Sequence, residues 1–319
     1  MVAFLTGGGP ALQGAREYLG VLLWFSPVYI IFQSLIVLLR NDGGARRAMT
    51  ALLLCSVLNI ALDALFIFGF QWGMFGAGFA TGIAQVSGLV VALLPRDNAK
   101  LLRQLRPRLF PPLRLMGKGL ASFVMELSQG VVIFVFNAVL LRLVGELGVS
   151  SYAIIANLSL MFTSIFLGLA QGAQPLLSVA KGKADHQEFQ DVLQFSKQVC
   201  LVLSLSTVLI CLVIPQLLAR VFISGDPEVL EMTIGGLRLY SLGFLFLGFN
   251  LIGTVALQSA AESVKAFLFA MVRGMMLLIV DLFILQHFFG TTGVWLAFPV
   301  TELMSYLWMR RNIRKEILS

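Results

Sequence analysis

The sequence predicts an all-α integral membrane protein of about nine transmembrane helices. Two observations carry this. The chain is 58% hydrophobic and only 12% charged, about half the charged share of a soluble domain. Nine apolar runs can be marked, at 19–39, 46–69, 73–94, 117–143, 150–178, 194–223, 234–258, 265–289 and 291–310, most of them long enough to cross a bilayer. A spanning segment must satisfy its own backbone, so helices are expected; a β-barrel would need short alternating strands, which these runs are not.

The basic residues are sorted by loop, which argues against nucleic acid as the meaning of the net charge of +7. Arg40, Arg46 and Arg47, then the cluster from Arg96 to Lys118, then Lys181, Lys183 and Lys197, then Lys265 and the tail Arg310 to Lys315 fall in one set of alternate loops. The opposite set has only Arg142, Arg220 and Arg238 near it, with Asp226, Glu228 and Glu231. The positive-inside rule therefore puts the basic loops and the C-terminus in the cytoplasm. Cys55, Cys200 and Cys211 lie in apolar runs and read as small hydrophobes.

Taken in order, residues 1–18 read as a short apolar start and a Gly-rich loop without the basic n-region of a signal peptide. An odd number of spans with a cytoplasmic C-terminus leaves the N-terminus outside, and the expectation is that further spans lie upstream. The second run, 46–69, holds Asn59 and Asp63 one helical turn apart. The turn at Gly69 to Gly76 sends the chain back, and Thr81 lies early in the returning run. A carboxylate in hydrocarbon is costly and marks a functional site by default. Asp63 is a candidate proton or cation acceptor; the plainer reading is an acid tied to its neighbours through Asn59. The segment from Pro95 to Gly119, basic and with Pro107, Pro111 and Pro112, reads as a cytoplasmic connector or a surface segment held by anionic lipid. In the fourth run Glu126 lies beside Ser122 and Gln129, a coupling carboxylate or a helix–helix hydrogen bond. Gln171, Gln174 and Pro175 are expected to break the fifth span, lining a cavity or packing between helices. Arg273 precedes Asp281 by two turns, so an internal ion pair and a transport role are both open for Asp281; Glu302, near Pro299, is left without a role. His186 and His287 fit no metal-site spacing, and no phosphate-binding loop or nucleophile elbow is present, so no metal, cofactor or enzymatic activity is expected.

The chain also repeats itself. Shifted by 218 residues, Leu39 meets Leu257, Arg47 meets Lys265, Ala48 meets Ala266 and Asp63 meets Asp281. After a slip of one residue, Gly76 meets Gly293, Ala80 meets Ala297 and Gln85 meets Glu302. Basic loop, long span, intramembrane Asp and returning span thus recur in the same order, a building rule of secondary transporters.

The runs L-N-I-A-L-D-A-L-F-I-F-G-F and G-A-G-F-A-T-G-I-A-Q resemble the fifth and sixth helices of the multidrug and toxic compound extrusion (MATE) family. F-V-M-E-L-S-Q-G-V-V-I-F-V-F-N, S-Y-A-I-I-A-N and Q-G-A-Q-P-L-L-S resemble its seventh and eighth helices, as in the MepA-like bacterial branch. The resemblance covers the chain from about residue 16. It implies two six-helix lobes, the first lacking three helices: residues 1–94 as the second half of the N-lobe, 95–119 as connector and 120–319 as the C-lobe. It implies export of cationic, amphipathic drugs across the bacterial inner membrane, in exchange for protons or sodium ions. It places Asn59, Asp63 and Thr81 on the N-lobe coupling cluster and Glu126 on the acid of the seventh helix. The sequence departs from the family in lacking the first-helix acid, and in carrying Asn250 but no carboxylate over residues 239–258. A flippase for lipid-linked or polysaccharide substrates, and a transport-inactive fragment, are the alternatives. A flippase should carry bases inside its cavity, and Arg273 is the one clearly intramembrane base.

Overall fold

The computed structural model describes residues 11–94, 112–223, 226–260 and 262–316. Every regular element among them is helical, and the chain divides into two compact units, Met1–Arg108 and Leu109–Ser319.

The first unit has three long helices: α1 (Ala11–Asn41), α2 (Ala45–Ala64) and α3 (Gly73–Leu93). Helix α1 starts at Ala11, so residues 11–18 are helical where a loop was expected; residues 1–10 lie outside the described part. Pro27 has no N–H for the Leu23 carbonyl, and the Ser26 hydroxyl donates to that oxygen instead, at 2.8 Å. Helix α3 buries only small residues, among them Gly76, Gly78, Ala80, Gly82, Ala84 and Gly88. A Cβ on Gly82 would stand 2.3 Å from the Phe25 ring, and one on Gly88 2.7 Å from Phe32. Without a hydrophobic force between helices in lipid, close approach of this kind is what holds them. Phe32 and Leu39 of α1 and Ala48 and Ala51 of α2 fill the seam.

The second unit contains α4 (Pro112–Val144), α5 (Glu146–Gly182), α6 (His186–Val213), the short α7 (Pro215–Arg220), α8 (Pro227–Tyr240), α9 (Phe244–Ser259), α10 (Ser263–Met271) and α11 (Leu278–Glu316). A 3₁₀ turn, Ser241–Gly243, joins α8 to α9 as one bent span. Caps set the helix starts: Asp185 accepts from the Glu188 N–H, and Asp226 from those of Glu228 and Val229, with Pro227 in the first turn. The core is aromatic. Phe136 stacks on Tyr152 at 4.9 Å and Tyr240 on Phe298 at 4.4 Å, and Gly243 and Gly248 admit the rings of Phe298 and Phe166.

Eight helices are apolar and long enough to cross a bilayer among the described residues; the last, Val264–Arg311, runs to 48 residues. That is about 72 Å at 1.5 Å per residue, more than twice a bilayer's hydrocarbon core of about 30 Å. It is two spans. Gly290 sits at φ 56° and ψ −133° inside α11, a conformation open to glycine, and the chain doubles back. The nine expected spans are recovered. Their ends move: the fourth run is helical from Pro112, and the sixth divides between α6 and α7. The expected connector lies, over residues 95–111, outside the described part; residues 112–119 of it are helix.

The tightest point of the second hairpin is Gly293, where a Cβ would fall 2.0 Å from the Leu285 carbonyl oxygen. Backbone cannot yield as a side-chain tip can. Gly293→Ala should therefore lower the thermal midpoint of the purified chain in detergent far more than Gly274→Ala, which meets nothing within 4 Å. Equal midpoints for the two variants would contradict the hairpin.

Candidate functional site

In the first unit the polar residues sit where α2 faces α3. The side-chain amide of Asn59 donates to Thr81 Oγ1 at 3.3 Å, and the Thr81 hydroxyl donates to the Ala77 carbonyl at 3.0 Å. Both bonds are local: one crosses the hairpin and the other stays on α3. Asp63 lies one turn from Asn59, and its Oδ1 is buried and accepts no hydrogen bond among the described residues. Asn59 thus answers Thr81 across the hairpin and not Asp63. The backbone changes pitch at once beyond Asp63, in a π-helical turn over Leu65–Gly69, a distortion common at functional positions. Above it Phe66 stacks on Trp72 at 5.1 Å and Phe75 on Phe79 at 5.9 Å, closing the turn of the hairpin with rings. Gln85, one turn past Thr81, also carries a buried oxygen without a donor. The sequence offered it only as a partner in the repeat; its spacing of four from Thr81 is the signal that places it on the same face.

The second unit handles its acids differently. Arg273 pairs with Glu302, Nη1 to Oε1 at 2.6 Å, with side chains 12% and 4% exposed. Asn250, fully buried, donates to Glu302 Oε2 at 2.7 Å and to the Glu302 carbonyl at 2.9 Å. Of the two readings left open for Asp281, the ion pair with Arg273 does not form. Eight residues along a helix separate two side chains by about 12 Å, more than an arginine spans, whereas Glu302 is brought alongside by the returning arm. Asp281 instead accepts from the Thr301 hydroxyl at 2.6 Å, and is 6% exposed. Arg273 lies within the unit's own π-helical turn, Val272–Leu277. Asn250 and Thr301 were missed as site residues. Nothing in a one-helix period shows which side chains meet across two helices.

The break expected at Pro175 is absent: α5 runs unbroken from Glu146 to Gly182. Gln174 reaches across to Gln258 at 3.4 Å, and its carbonyl accepts from the Ser259 hydroxyl. These two contacts make Gln174 a helix-packing residue, and Gln171 is exposed on the same helix. Glu126 falls on α4, but its side chain lies outside the described residues. Among the described residues no three His, Cys, Asp or Glu side chains gather as a metal site would require.

A helical membrane bundle, a repeated hairpin and intramembrane acids define a class of protein, and the comparisons place the chain within it. The family profile MatE matches residues 1–65 and 121–283. The chain belongs to that family. It is similar to the multidrug export protein MepA of Staphylococcus saprophyticus, 26% identical over 319 aligned residues that cover 96% of this chain and 68% of that protein. It is 27% identical to MepA of Staphylococcus aureus over 325 residues, with the same coverage. Among solved structures, its fold is that of a MATE transporter in the straight conformation, with a TM-score of 0.87 at 24% identity over 99% of this chain and 73% of that one. An outward-facing multidrug resistance MATE transporter gives 0.85 at 24% identity over 98% and 72%.

Removing one partner of a buried ion pair strands the other charge, at about 3–5 kcal/mol. Arg273→Met should destabilise the chain by that amount in thermal or denaturant unfolding. Adding Glu302→Gln, which keeps the bond from Asn250 and removes the stranded charge, should restore most of it. A double variant no more stable than Arg273→Met would contradict the pairing.

Proposed function

We propose that this protein exports amphipathic, cationic small molecules across a bacterial cytoplasmic membrane in exchange for protons or sodium ions. Family membership supports the transport class, and the named function of the MepA relatives supports drugs as cargo. The observation that carries the coupling is Asp63: a carboxylate in a bilayer span, one oxygen buried and unpartnered, one turn from the Asn59–Thr81 bond. Such an oxygen gains most from a proton or a cation, and loses most when neither is there. Exchange follows if the occupied and empty forms favour different arrangements, because an ion shifts a conformational equilibrium only by its differential affinity. Glu126 is the second coupling acid in this reading, carried by the resemblance of its helix. The basic loops, and with them the C-terminus, face the cytoplasm, where anionic lipid meets them.

The flippase alternative loses support from one contact. A cavity for anionic head groups needs free cationic charge, and Arg273 spends its charge on Glu302.

In proteoliposomes under an imposed proton or sodium gradient, Asp63→Asn should abolish gradient-driven export of a cationic dye, with dye binding kept. Asparagine preserves the volume of the side chain and its hydrogen-bonding capacity but exchanges no proton. Wild-type export by that variant would make Asp63 a packing residue.

A further inference from the structure

The repeat seen in sequence is also present in three dimensions. Gly73 and Gly290, 217 residues apart, both turn their hairpins at positive φ, 55° and 56°. Three residues on, Gly76 and Gly293 both press against their own hairpin's first arm. The paired alanines, Ala48 with Ala266 and Ala80 with Ala297, are all fully buried. The hairpin α2–α3 and the hairpin built from α10 and α11 are therefore two copies of one device, and each carries an aspartate in its first arm, Asp63 and Asp281.

Asp281 is buried, and Thr301, itself buried, donates to its Oδ2. No base is bonded to it among the described residues. The nearby base, Arg273, is held by Glu302. Of the other titratable groups on elements packed against this arm, Tyr240 is stacked on Phe298 and Tyr306 lies among Phe246 and Phe249. Arg142, Glu228, Glu231 and Arg238 are exposed, and the Glu126 side chain lies outside the described residues. A bare carboxylate in such surroundings, with one hydroxyl for company, is costly. A hard metal cation asks for about six oxygens, and Asp281 with Thr301 supplies three. A proton asks for one.

We propose that Asp281, held by Thr301, is a second proton-binding site, the counterpart in the C-terminal unit of Asp63. A proton from the aqueous phase bonds to Oδ1, giving a neutral acid whose carbonyl oxygen, Oδ2, keeps the hydrogen bond from Thr301. The role in transport rests on the reading of Asp63 as a coupling acid; the binding of a proton does not.

The test is infrared spectroscopy of the purified 319-residue chain in lipid, in H₂O and D₂O. A carbonyl component of a protonated carboxylic acid should be present, shift in D₂O and be lost in Asp281→Asn, whatever other acids contribute. In Thr301→Val it should move in frequency as the carbonyl loses its donor, and in Thr301→Ser it should return. The threonine variants carry the test if Asp281→Asn does not fold. Asp63→Asn should leave this band in place. If Asp63→Asn also exports dye normally, the coupling reading fails while the Asp281 site stands. Spectra that Asp281→Asn and Thr301→Val both leave unchanged overturn the proposal.

Discussion

A charge inside hydrocarbon must find a partner, and the structure depends on where each one does so. The cost of an unpartnered charge at a helix centre is about 2.5–3.5 kcal/mol on insertion scales, a large fraction of a protein's net stability. Glu302 takes the strongest solution, an arginine and an asparagine at once. Asp281 takes a weaker one, a single hydroxyl. Asp63 keeps one buried oxygen with none. The series runs from a group held by two partners to a group with one buried oxygen that no described residue holds.

The scaffold that sets this series is the glycine hairpin. Two apolar arms can stay close in lipid only where small residues line the contact, and α3 buries almost nothing else. The positive-φ glycines then fix the register between arms, and register decides which side chain on the returning arm meets which on the first. Thr81 meets Asn59 and Thr301 meets Asp281 for this reason. The hairpins share one pattern and differ at one paired position: among the described residues the Gln85 oxygen has no donor, where its counterpart Glu302 has two.

Much of this was legible in the sequence. Spans are set by length and apolarity, so nine of them could be marked, including the pair at 265–289 and 291–310 that forms a hairpin about Gly290. The repeat was visible because turn glycines and buried alanines leave fixed spacings. The polar cluster at Asn59, Asp63 and Thr81 could be named, although its bonding could not. Partners across helices stayed hidden. Counting along one helix could offer Arg273 only Asp281 as one open alternative, and the true neighbour, Glu302, is 29 residues away and level with it only after the chain turns back. Pro175 shows the opposite failure: a breaker in sequence is absorbed within the continuous helix α5, with Gln174 beside it bonded to the neighbouring helix α9.

The proposal at the centre of this account is that Asp63 gives up its coupling ion when cargo binds, and its proton form is the one measured most directly. The direct measurement is proton release on adding a cationic dye to the purified chain in weakly buffered detergent solution, followed with a pH indicator. The account predicts release by the wild type, and markedly less by Asp63→Asn at equal dye occupancy. Equal release by the two proteins would contradict it.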